Sequence, residues 1–592
     1  MISRPPLGPR ASPAIIVMAV AAACGPSLLA YNVSPSPTFL NQALALALWG
    51  WFVALTALQC EVPRAVRHAL RDTALPLAAL ALTALAAAAT WAFASLPAGL
   101  ALSALGLLAA TALLLLSGAV ARASAQAMPL FTAFCIGWVV AGALNAGIGI
   151  IQVFAPALAD GDWLARSSLA GRAVGNLRQP NHLSSLLLWS AIAVVPLLEL
   201  GRLRRRVAYA LFALMVFAVV LTASRTGVLG IGLLALWGLL GRRLSRPTRG
   251  LLLSAPLLYA LAWAGLALWA ELSHHAFGGE ARLAEADLSG SRFGIWANTL
   301  SLIRQQPWLG VGFGEFNFAW SLTPFPGRPT AFFDHTHNLP LHLAVELGLP
   351  LATLIMVLLL AGLWRAWQLA QKATAADAPM GVALRSAWMM LVLIGVHSQL
   401  EYPLWYAYFL LPAAWLWGFA MGRPRAVTSV AAVSPGAATR PTRVLFVLGM
   451  LTVVLTTLAV LDYARVVRIF SASPTTLPLA ERIAEGQSSW LFAHHADYAA
   501  VTTDGLGGSR GHSFQRAPHY LLDTRLMIAW AEALAAGGEE DKARHLAQRL
   551  REFRNPLAKD FFAPCEAAPA PSPLPFQCQA PSGVLHWQDF EH

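Results

Sequence analysis

Residues 332–364 read FFDHTHNLPLHLAVELGLPLATLIMVLLLAGLW. From 339 onward this is an apolar run of about the twenty residues that a helix needs to cross a bilayer. Its head carries His335, His337 and His342, with Glu346 one helical turn after His342. A metal site, a proton relay, a catalytic base and an interfacial cap all suit such residues at the edge of a lipid phase. Working outward, hydrophobic residues make up 57% of the 592 positions and charged residues 12%, and the mean hydropathy is +0.59. That much apolar surface excludes an ordinary soluble globule. Apolar runs of membrane length follow one another along the chain, so the fold class is an all-α polytopic integral membrane protein.

The runs number about thirteen: 13–32, 40–59, 74–95, 98–121, 128–153, 183–200, 207–222, 226–241, 251–271, 339–364, 381–399, 403–421 and 443–462. The first follows a basic leader, MISRPPLGPR, and resembles a signal peptide. No cleavage signal precedes Ser34, which predicts a retained first helix. The stretches EVPRAVRHALRD (61–72), GRLRRR (201–206), GRRLSRPTRG (241–250), WRAWQLAQK (364–372) and MGRPRA (421–426) are all basic. With thirteen spans they fall on one side, which the positive-inside bias assigns to the cytoplasm. The N-terminus is then cytoplasmic and the C-terminus external. The net charge of +12 reads as a topology signal and gives no indication of nucleic acid, because no basic stretch interleaves stacking aromatics.

The same reckoning sends 155–182, the turn TASRTG (222–227), the long loop 272–338, HSQLEYPLWY (397–406) and the tail to the outer side. Expected boundaries are N-terminal helices at 1–127, a membrane domain at 128–422, a linker and last span at 423–463, and a helical tail at 464–592. In the tail, DTRLMIAWAEALAAGGEEDKARHLAQRLREF (523–553) predicts two amphipathic helices around a Gly-Gly turn. Cys565 and Cys578 lie there and are candidates for a disulfide in an oxidising compartment. Cys24, Cys60 and Cys135 lie in or beside spans and read as packing residues.

The outer segments hold the candidate chemistry, and each has a plain reading beside it. Arg225, between two apolar runs, is either a snorkelling side chain or a functional cation, since a charge near membrane depth is costly without a partner. Arg292 opens an apparent amphipathic helix with Phe293, Trp296 and Leu300 at helical spacing; the plain reading is a solvated helix start. The glycines of QQPWLGVGFGEF (305–316) suit close approach of backbone amides to phosphate oxygens, but the Lys-Ser/Thr ending of a P-loop is missing. Gln179, Asn181 and His182 form a polar cluster at a helix entrance, where Asn181 also suits an N-cap. Glu401 and Tyr402 precede Pro403, which also suits the first turn of a helix.

For the histidines, the HExxH pattern of zinc proteases is absent, and His342 points into a span. A proton relay wants carboxylates within the spans, which are nearly free of them. What remains is a polar pocket of arginines, histidine and amides. Arginine pairs suit a diphosphate through charge-assisted, often bidentate bonds, and a histidine suits removing a hydroxyl proton near neutrality.

Taken together, HTHNLPLHLAVELGLP (335–350), LTASRTG (221–227), SRFGIWANTL with QPWLGVGFGEF (291–316) and QPNHL (179–183) resemble the O-antigen ligase and polymerase superfamily. QPNHL, the length and the external tail resemble its branch of bacterial protein O-oligosaccharyltransferases. The resemblance covers roughly 130–420 in motif order. It implies a C-type glycosyltransferase membrane fold, an undecaprenyl-diphosphate-linked oligosaccharide donor, a pilin-like protein acceptor in the periplasm, an inner-membrane location, and no metal or other cofactor. By position it implies His337 as the catalytic base or the group that orients the acceptor, with Arg225 and Arg292 holding the diphosphate and stabilising the charge of the leaving group. Gln179, Asn181, His182, Arg172, His335, Asn338, Glu401 and Tyr402 would shape the substrate pocket. The implied reaction is attack by a Ser or Thr hydroxyl on the anomeric carbon with inversion. Ligation to lipid A core and chain polymerisation are alternatives that differ only in acceptor. A transporter would show inverted repeats and broken helices at the midplane, and no internal repeat is evident.

Overall fold

The computed structural model describes residues 11–60, 65–169, 171–280, 288–325, 327–330, 332–424, 440–471, 477–503, 510–566 and 573–591. The basic leader at 1–10 and most of the linker at 425–439 lie outside the described residues. Among the described residues the chain is helical with no strand, and ten helices are long and apolar enough to cross a membrane. The protein is an all-α, multi-pass membrane protein. The runs at 13–32, 226–241 and 403–421 give shorter apolar helices, Pro13–Leu28, Arg225–Leu240 and Ala407–Met421. The last is shortened because Pro403–Trp405 is a separate 3-10 turn and helix resumes only at Ala407.

The chain forms two compact units. The first comprises 1–78, 109–286 and 358–458. At its centre is the helix Pro180–Glu199, packed by Ala127–Phe154, Arg205–Thr222, Arg225–Leu240 and Ala378–His397. Beyond its polar first turns it is apolar on nearly every side, as suits a helix without a solvent or lipid face; 94% of its apolar window is buried, against 17% for Arg443–Phe470. Some of the polar atoms within this packing are paired with backbone carbonyls. The Trp189 indole donates to the Met390 carbonyl at 2.9 Å, and the Ser190 hydroxyl to that of Trp138 at 2.6 Å. Ala98–Ala123 and Ala407–Met421 cross at Gly118 and Gly418, where a Cβ would lie 2.0 Å and 1.8 Å from backbone oxygens of the other helix. Only glycine admits that approach.

The second unit comprises 79–108, 287–357 and 459–592. Here the tail and the segment 287–357 share one hydrophobic core. Ile295, Leu302, Phe316, Phe318 and Trp320 pack with Leu526, Met527, Leu546, Leu550 and Phe553. The tail hairpin consists of Thr524–Ala536, capped by Asp523, and Glu540–Phe553, joined through Gly537 and Gly538. Gly538 has φ +85°, a conformation that costs a side-chain-bearing residue. Cys565 and Cys578 are joined by a disulfide.

Two expectations change. The helix bearing Arg292 begins at Leu288, and of the expected stripe only Trp296 packs against the core. Ile295, Leu302 and Ile303 are buried, while Phe293 and Leu300 are 64% and 44% exposed. The core supplied by the tail sets that face, which local spacing does not reveal. The run beginning at 339 forms Leu339–Ala376, but with a break at Gly348 (φ 77°, ψ 160°). Pro350 follows, and its ring and missing N–H disfavour an uninterrupted helix through this turn. The carbonyls released by the break are reused: Val345 accepts from Val311 N at 2.8 Å and Glu346 from Gly312 N at 2.9 Å, while Leu349 N donates to Pro307 O at 2.8 Å.

Candidate active site

In the first unit the polar residues gather where membrane helices begin and end. Gln179, not Asn181, caps Pro180–Glu199; its Oε1 accepts from the amides of Asn181 (2.5 Å) and His182 (3.0 Å). This leaves the Asn181 side chain to bridge. Its Nδ2 donates to Glu401 Oε1 at 2.9 Å, and its Oδ1 accepts from Ser224 Oγ at 2.6 Å. Ser224 Oγ in turn accepts from Gly227 N and caps Arg225–Leu240. Three segments far apart in sequence are thereby fixed by one amide.

Arg225 follows Ser224 directly. It is exposed and, among the described residues, its guanidinium has no hydrogen-bond or ion-pair partner. Backbone N–H groups at a helix start and an exposed guanidinium both favour an anion. Behind this junction, His182 Nδ1 lies 2.9 Å from the Tyr408 hydroxyl, and its ring is 4.5 Å from that of Tyr406. His397 Nδ1 lies 2.7 Å from Ser185 Oγ. Tyr402 is half-buried with its ring 5.9 Å from that of Tyr406. Arg172 is a buried tie, its Nε donating to Thr222 O at 3.1 Å.

In the second unit the segment 332–338 is held from several directions. The Trp296 indole donates to Thr336 O at 3.0 Å, and Arg292 stands one helical turn before Trp296. Asn317 Nδ2 donates to Phe333 O at 2.8 Å, while its Oδ1 accepts from Leu522 N of the tail at 2.8 Å. The Phe332 ring stacks on Phe553 at 3.8 Å. His337 adopts φ 55°, in the left-handed region, and is half-buried, its ring 4.6 Å from that of His335 and 5.5 Å from Phe333. His335 Nδ1 pairs with Asp334. Asn338 caps the following helix, its Oδ1 accepting from Leu341 N at 3.0 Å.

Glu346 has a different task from any ligand role. His342 Nε2 lies 3.3 Å from its Oε1, and the backbone amides of Gly314 and Phe316 hydrogen-bond its carboxylate. The amides of Val311 and Gly312 are spent on the broken helix. The glycine loop 305–316 therefore wraps Leu339–Ala376, and the amides suggested for phosphate contact already have acceptors. Gly310 and Gly348 make this possible: a Cβ at either would lie 2.4 Å and 2.2 Å from the opposing carbonyl oxygens of Glu346 and Trp308.

Further from this segment, Arg328 is buried, paired with Glu552 at 3.1 Å and 4.4 Å from the Phe553 ring centroid. Burial pushes its guanidinium down to about 10, with Glu552 acting the other way. His545 Nε2 lies 2.8 Å from Leu322 O, and burial pushes that imidazole down to about 4.

Sequence reasoning missed Ser224, Tyr408, His397 and Asn317. The first three stand in or beside motifs already in view. Asn317 had no local signal, since its partners are 16 and 205 residues away.

Residues 210–356 match the family model of O-antigen ligases, 385–559 that of virulence factor membrane-bound polymerases (C-terminal part), and 173–198 that of protein glycosylation ligases. Among characterised proteins, the chain is 30% identical over 257 residues to a general O-oligosaccharyltransferase of Acinetobacter baylyi. It is 28% identical over 283 residues to a ComP-specific O-oligosaccharyltransferase of the same organism. The matched stretches cover 42% and 47% of this chain, and 43% and 47% of the relatives, so the alignment spans less than half of either relative's length. The resemblance to the O-antigen ligase superfamily, and within it to protein O-oligosaccharyltransferases, is borne out.

Proposed function

We propose that the protein is an O-linked oligosaccharyltransferase. It moves a glycan en bloc from undecaprenyl-diphosphate to a Ser or Thr hydroxyl of a periplasmic protein such as a pilin. The observation that carries this reading is the protein glycosylation ligase match over 173–198. It contains Gln179, Asn181 and His182, and Asn181 is the residue that ties Glu401 to Ser224.

The roles follow from chemistry. The acceptor hydroxyl oxygen attacks the anomeric carbon, the bond from that carbon to the diphosphate oxygen breaks, and the diphosphate leaves on its lipid. Attack from the face opposite the leaving group inverts the centre. A serine hydroxyl is a weak acid, so His337 takes its proton late, as the new bond forms. Arg225 and Arg292 are the cations assigned to the diphosphate, where charge grows on leaving. Gln179, Asn181, His182, Glu401 and Tyr402 order the junction that receives substrate; His335 and Asn338 hold the His337 backbone and ring. Arg172 supports that junction from behind. The reaction needs no metal in this scheme. The inner membrane is the location, with the N-terminus cytoplasmic and the tail periplasmic; the one-sided basic loops and the tail disulfide support that orientation.

The test is transfer in vitro by the purified full chain, with undecaprenyl-diphosphate oligosaccharide, a pilin-like acceptor and EDTA, read by intact mass. An added glycan mass with the wild type and none with His337→Ala is expected. The O-antigen ligase and polymerase matches favour a second reading, transfer to lipid A core or to a growing chain. Donor consumed in those directions, with the protein acceptor unmodified, would replace the first reading by the second.

A further inference from the structure

The second unit contains a cavity of about 460 Å³ to which the proposed reaction assigns no role. It lies between the C-terminal end of Glu540–Phe553 in the tail and the stretch 324–328. Phe553 links it to the histidine segment: its ring stacks on Phe332 at 3.8 Å, and the Arg328 guanidinium lies 4.4 Å from its centroid.

The lining is basic. Arg328 and Arg549 lie at the base, their side chains 0% and 3% exposed, while Gln548, Arg551 and Arg554 are exposed at the rim. Among the described residues that line the cavity, Glu552 is the one acidic side chain. Its carboxylate is shared: Oε2 pairs with Arg328 Nε at 3.1 Å and Oε1 with Arg549 Nη2 at 2.8 Å. Two buried cations thus face one anion, and burial pushes both guanidiniums down. Three of their nitrogens are left over. Arg328 Nη1 and Arg549 Nε and Nη1 are buried and, among the described residues, have no hydrogen-bond partner. At the rim, Arg554 Nη2 donates to Arg328 O at 3.3 Å and Arg551 Nη2 to Gln577 O at 3.2 Å.

The plain alternative is a structural clamp on Glu552 at a helix C-terminus, where cations are favoured. It accounts for Arg328, which also faces the rings of Trp320 and Phe553, and for the rim. It leaves the second buried guanidinium in excess, and a buried charge without a full counter-charge is costly. An incoming anion supplies the missing charge, since guanidinium edges present N–H groups to a carboxylate or phosphate. The lining also bears on what carries the anion. A sugar ring brings hydroxyls that need acceptors as well as donors, and guanidiniums only donate. A carboxylate on a short aliphatic stem needs only the cations and the apolar contact that Pro324 and Phe325 offer.

We propose that this cavity receives an aspartate or glutamate side chain of the protein acceptor and so docks the acceptor beside the histidine segment. The carboxylate pairs with Arg549 and is flanked by Arg551 and Arg554. This assignment rests on the protein-acceptor reading above.

The test uses the purified full chain in neutral detergent. Acetylglutamate amide, acetylglutamine amide, glucuronate or inorganic phosphate is added in excess, and the melting temperature is read. Acetylglutamate amide should raise it and the other three should not. The rim variant Arg551→Gln/Arg554→Gln should lose that rise. With a pilin-like acceptor and the lipid-linked donor, the same variant should raise the acceptor KM about tenfold, the loss expected for one charge-assisted contact, and by more than it lowers kcat. Arg549→Gln should act in the same direction; if that variant fails to fold, the rim variant decides alone. An equal rise with acetylglutamine amide would overturn the proposal. An equal rise with glucuronate would move the site to the glycan, and one with phosphate would make it a simple anion site; either overturns the assigned occupant. An unchanged acceptor KM in the rim variant, with transfer intact, would overturn the docking site and leave the reaction standing. A rise with acetylglutamate amide but no transfer to any protein would overturn the occupant through the acceptor reading instead.

Discussion

The polar junction of the first unit and the histidine segment of the second are built by opposite means. At the junction, helices satisfy their own backbones, so side chains do the joining. One amide, Asn181, holds Glu401 and Ser224, and Ser224 starts the helix that presents Arg225. In the histidine segment the chain is irregular and its backbone must be satisfied from outside. Trp296 and Asn317 take the carbonyls of Thr336 and Phe333, and a core shared with the tail fixes the rest. The first design is sensitive to single polar atoms; the second is sensitive to backbone shape and to packing. Both place a residue in the left-handed region beside the proposed chemistry: Arg178 and Ala223 in the first, His337 in the second. Such conformations cost energy and persist only where the surroundings enforce them.

Breaking the comparison outright starts with His337→Ala. Loss of a general base costs roughly 10²–10⁴-fold in rate; transfer should fall by that much while the melting temperature holds, as mass spectrometry and calorimetry would show. A variant with normal transfer would remove His337 from the reaction. Next, Phe553→Ala takes away the ring that stacks on Phe332 and packs Arg328, and a buried phenylalanine is worth about 3–5 kcal/mol. Proteolysis of the second unit should accelerate and transfer should fall with it. If transfer stays at the wild-type level in that variant, packing by the tail does not hold the histidine segment.

Asn181→Leu sharpens the other side of the contrast. It strips two polar bonds at nearly constant volume, for about 1–3 kcal/mol, and should depress transfer more than stability; Asn181→Asp, which keeps the Ser224 acceptor but sets a second carboxylate against Glu401, should rescue little. Gly348→Ala tests backbone shape: a Cβ 2.2 Å from Trp308 O cannot be accommodated without moving the loop, so hydrogen exchange of 305–316 should quicken.

The effect spread over the widest range of conditions, with no change at neutral pH, is acid sensitivity of the tail. His545 is pushed down to about 4 and His495 likewise to about 4, both mainly by burial. Unfolded histidines take up protons near pH 6.5, before the folded ones do. Stability should therefore be full above about pH 6.5 and fall as pH drops toward 4, by up to about 1.4 kcal/mol per pH unit for each group. A melting temperature flat across that window would contradict their burial as neutral rings.

Much of this was legible before any coordinates. Apolar run length announces membrane helices because a bilayer demands about twenty apolar residues, and Gly537-Gly538 between amphipathic stretches announces the tail hairpin. The motifs at 179–183, 221–227 and 335–350 locate the polar residues. Their division of labour was not legible. Asn181 was open to reading as a cap until Gln179 was found doing that work. The amides of Val311, Gly312, Gly314 and Phe316 were open to reading as phosphate donors until they were found holding Glu346 and a broken helix. The stripe through Phe293 and Leu300 pointed at a core that lies on the other face.

The sequence by itself determined the class, most of the helices and the few short motifs in which the candidate polar side chains gather, because those follow from local composition and periodicity. Only the tertiary structure decided which polar atoms meet and that 287–357 shares its core with the tail. Those depend on partners tens to hundreds of residues away, and no local pattern encodes them.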